Sequence, residues 1–95
     1  NLAGAIKGVV EFKDASDATV EVPQGATISA YQGETLAGTA MINADGSFKI
    51  VGLLAGSYTL KLETEGYTAE DATVAVTAGN DSDAGTITAT PAQSE

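Results

Sequence analysis

Apolar and polar residues alternate in short runs along the whole chain, and turn-forming residues interrupt them roughly every eight to twelve positions. In AGAIKGVVEF (3–12), Ile6, Gly8, Val10 and Phe12 share one face while Lys7, Val9, Glu11 and Lys13 share the other, the period of a half-buried strand. Gly4 and Gly8 mark a bulge or a close approach by a neighbouring backbone. KDASDAT is polar and turn-like, and a short TVEV precedes Pro23 and Gly25, which end any pairing. ATISAY then places Ala26, Ile28 and Ala30 on one side and Thr27, Ser29 and Tyr31 on the other.

After the turn QGE, TLAGTAMI directs Leu36, Ala40 and Ile42 toward the core with Gly38 between them. NADGS puts Asp-Gly between two alternating runs, the strongest short hairpin signal in the chain. Phe48 and Ile50 point inward from SFKIVG, as do Tyr58, Leu60 and Leu62 from SYTLKLETE, leaving Thr59, Lys61 and Glu63 to water. ATVAV adds Val74 and Val76, AGNDSDAG turns the chain, and TITAT closes with Ile87. These runs predict seven antiparallel strands in an all-β sandwich. No window keeps the i, i+3, i+4, i+7 spacing of a helix, and in TAEDATVAV the β-branched Thr73, Val74, Val76 and Thr77 outweigh the helix-favouring Ala and Glu.

Length limits this to one domain: 95 residues bury only about 60–65% of the surface the unfolded chain exposes. The expected domain spans 1–91, with 92–95 a flexible tail. Two Phe, three Tyr and no Trp make the core thin and aliphatic. Thirteen acidic side chains against four lysines give a net charge of −9, which repels nucleic-acid phosphates and anionic lipid surfaces alike. No apolar run approaches the ~20 residues of a spanning helix, so direct membrane insertion is not expected. Without cysteine there is no disulfide framework and no thiolate metal site. The chain opens on NLAGAIKG, without the basic and apolar regions of a signal segment.

Chemistry has few candidates. With no histidine and no cysteine, the usual base and thiolate of nucleophilic catalysis are missing. The carboxylate pairs Glu63 and Glu65, or Asp81 and Asp83, sit in polar surroundings rather than in the apolar cleft that would raise one pKa. NADGS and GNDSD gather oxygen ligands, but aligning Asn43, Asp45 and Gly46 to the twelve-residue calcium loop puts Met41 first and Gly52 last, so two β-turns are the better reading. No catalytic, cofactor or metal residue is assigned. Tyr31, placed opposite Ile28 and Ala30, is the one candidate for stacking a sugar, and cross-strand packing explains it equally well.

Four motifs in order carry a resemblance: GAIKGVV at 4–10, DGSF at 45–48, GLLAGSY at 52–58 and GY at 66–67. Together with VTAGNDSDAGTITATP, they make residues 3–91 similar to the carboxypeptidase regulatory-like family, a prealbumin-like seven-stranded Greek-key sandwich. The segment DASDATVEVPQGATISAY departs from that pattern, since the family usually has a shorter linker there. The resemblance implies a non-catalytic accessory module of a secreted, periplasmic or surface-anchored protein, with lipoproteins among the parents. Its partners would be proteins or other domains of the parent chain. A glycan, and less readily calcium, is the alternative ligand. The related collagen-adhesin B-type sandwich adds an isopeptide bond from a first-strand lysine to a last-strand Asn or Asp, helped by a glutamate four residues after the motif tyrosine. Counted from Tyr58 that position is Leu62, TITAT holds neither Asn nor Asp, and alternation turns Glu63 outward, which leaves Lys7 a solvated lysine.

Overall fold

Each alternating run becomes a strand because only a pleated, paired segment puts its odd and even residues on opposite faces. The computed structural model describes residues 2–92. In chain order the strands are β1 (Gly4–Phe12), β2 (Thr27–Gln32), β3 (Thr35–Met41), β4 (Ser47–Leu53), β5 (Gly56–Glu63), β6 (Tyr67–Thr68), β7 (Ala72–Val76) and β8 (Asp81–Pro91). They form two four-stranded sheets, ordered β4-β1-β8-β6 and β3-β2-β5-β7. Ile6, Val10, Phe12, Phe48 and Ile50 from one sheet meet Ile28, Ala30, Tyr58, Leu60 and Val76 from the other in a single core.

The all-β sandwich is as the sequence predicts, with two differences in detail. Among the described residues there are eight strands rather than seven, the extra one being the two-residue β6 at the Gly-Tyr motif. Pairing is not antiparallel throughout, because β1 and β8 run parallel from Ala5↔Asp81 to Phe12↔Ala89. β8 is also longer than TITAT. It begins at Asp81, inside the stretch predicted to be a turn, because a bulge absorbs the polar residues: Lys7 faces Asp83 but Val9 faces Thr86. Gly85 takes a positive φ of 75° there and its N–H reaches Asp83 Oδ1 at 2.7 Å, while the absent side chain of Gly8 leaves room for the Gly85 carbonyl.

TVEV adds no strand. The Asp14 carboxylate folds the preceding turn by accepting the Ser16 and Ala18 N–H groups at 2.8 and 3.0 Å, and one bridge joins Lys13 to Thr19. Val20 and Val22 then pack on the rim of the core. The Ala92 N–H, at the start of the expected tail, bonds the Gly66 carbonyl at 2.9 Å, and 93–95 lie outside the described residues.

Leu36 is a correction. It is 55% exposed instead of facing the core. Pairing of β2 with β3 runs Ile28↔Ala40, Ser29↔Thr39 and Ala30↔Gly38, then jumps to Tyr31↔Leu36. The extra residue, Ala37, shifts the alternation by one, so Leu36 joins Tyr31 on the outer face.

Candidate functional site

The densest polar geometry lies on the outer face of the β3-β2-β5-β7 sheet. Alternation sends Thr27, Ser29 and Tyr31 outward from β2 and Lys61 and Glu63 outward from β5, and the antiparallel register sets Thr27 opposite Glu63 and Ser29 opposite Lys61. Glu63 reaches diagonally across this grid. Its carboxylate accepts the Ser29 hydroxyl at 2.7 Å on one oxygen and the Tyr31 phenol at 2.8 Å on the other. An ionised carboxylate can only accept, so both hydroxyls donate to it. Ser29 Oγ keeps lone pairs for Thr39 Oγ1, 2.8 Å away on β3, and the Thr27 hydroxyl donates to the Glu63 carbonyl at 2.8 Å. Three strands are thereby joined through side chains. The Tyr31 and Glu63 side chains close over Ser29, which is only 1% exposed despite pointing away from the core.

The network moves its titrating groups away from neutrality. Donation from Ser29, then from Tyr31, holds the Glu63 carboxyl below its ordinary range. The hydrogen bond to Glu63 raises the Tyr31 phenol, and the hydrogen bond to Asp71, 2.7 Å from Nζ, raises Lys61. A general base or acid needs the opposite, a pKa drawn toward the working pH. Glu63 is a poor base and Tyr31 a poor acid. The chemistry here is structural cross-linking of strands.

The other residues singled out by sequence are dispersed. Lys7 is exposed on β1, with Lys49 and Asp83 as register neighbours, while Glu63 lies on the outside of the opposite sheet, so the two do not meet. Glu65 takes no part in the Glu63 network. In the NADGS loop, Asp45 turns its carboxylate onto Ser47, N at 2.9 Å and Oγ at 2.6 Å, and these bonds lower its pKa. Of the second carboxylate pair, Asp81 lies 3.2 Å from Lys49 and Asp83 caps Gly85. Among the described residues no group of three or more acidic side chains converges as a metal site would require. Tyr31 is half-buried and its hydroxyl is occupied, and Phe12, Phe48, Tyr58 and Tyr67 lie in or against the core, so the outer face offers a single ring rather than a platform.

Sheet order, the outward Ser29–Glu63 grid and the Gly-Tyr strand are set on a scaffold that other proteins share. The model of the carboxypeptidase regulatory-like domain matches residues 5–90. This chain belongs to that family. No curated protein matches the sequence significantly. Among solved structures, the carboxypeptidase regulatory-like domain is similar to GBS52, the minor pilin of the gram-positive pathogen Streptococcus agalactiae, with a TM-score of 0.66 at 16% identity over 99% of this chain and 47% of that one. It is also similar to the shaft pilin SpaA of Lactobacillus rhamnosus GG, with a TM-score of 0.65 at 11% identity over 98% of this chain and 52% of the pilin. The chain therefore spans about half the length of either pilin, and at these identities the likeness is one of fold.

Sequence reasoning placed Glu63 in water and missed the network. The signal was present as Thr-x-Ser-x-Tyr on β2 facing Lys-x-Glu on β5, but only the register, set by distant residues, brings Ser29 and Tyr31 to one carboxylate.

Proposed function

We propose that this domain is a non-catalytic structural and protein-interaction module of a secreted, periplasmic or cell-surface protein. The observation that carries the reading is the Tyr31–Glu63–Ser29 network, whose pKa shifts run opposite to those of an acid–base pair while its bonds tie three strands together. Family membership supports it, and so does a fold similar to domains of two proteins that are themselves pilins. Among the described residues no helix is long and apolar enough to cross a membrane.

The test is to present the folded domain to an array of glycans and, in parallel, to cross-link it within its parent protein on the native cells. Cross-links to protein with no saturable glycan signal are expected. Saturable glycan binding that disappears in Tyr31→Ala would overturn the proposal.

A further inference from the structure

The crossover from β6 to β7 leaves most of β8 without a neighbour on one side. β6 pairs with β8 at Thr90 and Pro91, after which the chain leaves through residues 69–71 for the opposite sheet. From Asp81 to Thr88 the outward edge of β8 carries no strand. A groove of about 630 Å³ lies between this edge and β7, floored by Ala72, Ala84 and Ile87. Elsewhere on this side the Ser82 hydroxyl ties β8 to β7 by donating to the Ala75 carbonyl at 2.7 Å, and Tyr67 stacks edge-on against Phe12 at 5.1 Å.

Backbone direction is fixed on both sides of β8. The Ala89 carbonyl accepts the Lys13 N–H on the β1 side, and the Ala92 N–H reaches Gly66 on the β6 side. Since strand residues alternate, the N–H and C=O of Thr86 and Thr88 face the groove. The bulge at Gly85 ends this usable edge at its upper limit. Between the bulge at Gly85 and Thr90, which already pairs with β6, the free wall runs from Thr86 to Thr88, ~7 Å, and the main-chain groups of these two threonines are what it offers. The rim is acidic, with Glu70 and Asp71, and the one lysine beside it, Lys61, is already bonded to Asp71.

We infer that this groove receives an extended, lysine- or arginine-bearing segment of a partner protein, added to β8 as a strand in line with β6. The inference rests on the protein-interaction reading and names the partner's chemistry. Main-chain groups along a wall with small apolar residues beneath are what strand addition uses. Charge decides the class of partner, because a body of net −9 with Glu70 at the groove's mouth repels an acidic strand and attracts a basic one. The same charge disfavours a second copy of this chain as the occupant.

Nuclear magnetic resonance of the isotope-labelled domain titrated with the blocked peptides VTKVTKV and VTEVTEV tests this. The lysine peptide should shift Thr86, Thr88, Glu70 and Ala72 and slow amide exchange at Thr86 and Thr88, with the glutamate peptide at least about tenfold weaker. Thr88→Pro removes an N–H that the sheet does not use, so the fold should persist while peptide affinity falls roughly tenfold. Glu70→Lys, an exposed change, should reverse the preference between the peptides and carries the test if the proline variant fails to fold. Equal binding of both peptides, or no binding of either by about 1 mM, overturns the inference. Shifts confined to the free edge of β3 would overturn the groove and leave the domain an interaction module. A domain blind to both peptides that binds glycans would remove the interaction reading itself.

Discussion

The two flanks of the sandwich are built differently. On one, the edge strands β3 and β4 of opposite sheets come together at Gly38, where a Cβ would sit 2.9 Å from Ile50 Cγ2 and 3.2 Å from Leu53 Cδ2. On the other, β7 and β8 are tied at one end by Ser82 and then part around an open groove. The first flank closes because one residue lacks a side chain. The second stays open because the chain crosses between sheets at residues 69–71, and among the described residues no strand beyond β6 covers that edge of β8. In a core this small, a single glycine and a single crossover decide which strand edge is sealed and which remains able to pair.

The largest test strikes what both flanks share. Phe12 is 1% exposed in the core and supports Tyr67 at the foot of the open flank, so Phe12→Ala should cost about 3–5 kcal/mol in chemical denaturation, much of a small domain's stability. A loss below ~1 kcal/mol would mean the ring is not packed as described. Next comes a direct contrast. Gly38→Val should overpack the closed flank and cost about 1–3 kcal/mol, whereas Thr86→Val on the open flank should stay within about 0.5 kcal/mol. Equal costs would erase the distinction between the flanks.

Acid should loosen the side-chain tie that joins β5 to β2 and β3. The folded-state pKa of Glu63 is depressed, so the stability it contributes is present above the ordinary carboxylate pKa and is lost as pH falls through the lower folded value. Amide exchange at Thr39 should therefore accelerate over that acid window, and Glu63→Gln should flatten the dependence. Tyr31 has the reverse sign: its raised pKa means a contribution present below the ordinary phenol value and lost as pH rises through the folded one. The smallest effect expected is that of salt. Sodium chloride screens the surplus of thirteen acidic groups over four lysines and should raise the melting temperature slightly, while the exposed Lys61–Asp71 pair beside the open flank weakens without measurable consequence.

What the sequence revealed and what it hid divide along local and non-local lines. Alternation identified Ile6, Val10, Ile28, Phe48, Ile50, Tyr58 and Leu60 as core, because strand faces depend on neighbours two residues apart. Leu36 was misplaced by one residue of bulge, which leaves no mark in a hydrophobic pattern. The parallel pairing of β1 with β8 joins residues about 76 positions apart by number (81 − 5), beyond any local signal. The Glu63 network and the groove share that origin. Both exist only after the register of distant strands is set, so the residues that form them, Ser29, Tyr31, Thr86 and Glu70, look like ordinary surface positions in the chain.

The parallel central pair has a mechanical consequence. β1 enters at Gly4, next to the Ala5–Asp81 pair, and β8 leaves at Pro91, beyond the Phe12–Ala89 pair, so β1 begins and β8 ends at opposite ends of one parallel ladder that is interrupted by the bulge at Gly85. Tension applied through the ends loads that ladder in shear, and its hydrogen bonds must fail together instead of opening one by one as in a hairpin pulled from its tips. The body is 45 Å long and 19 Å across its thinnest axis. Tension along β1 and β8 therefore meets their whole pairing before either strand extends.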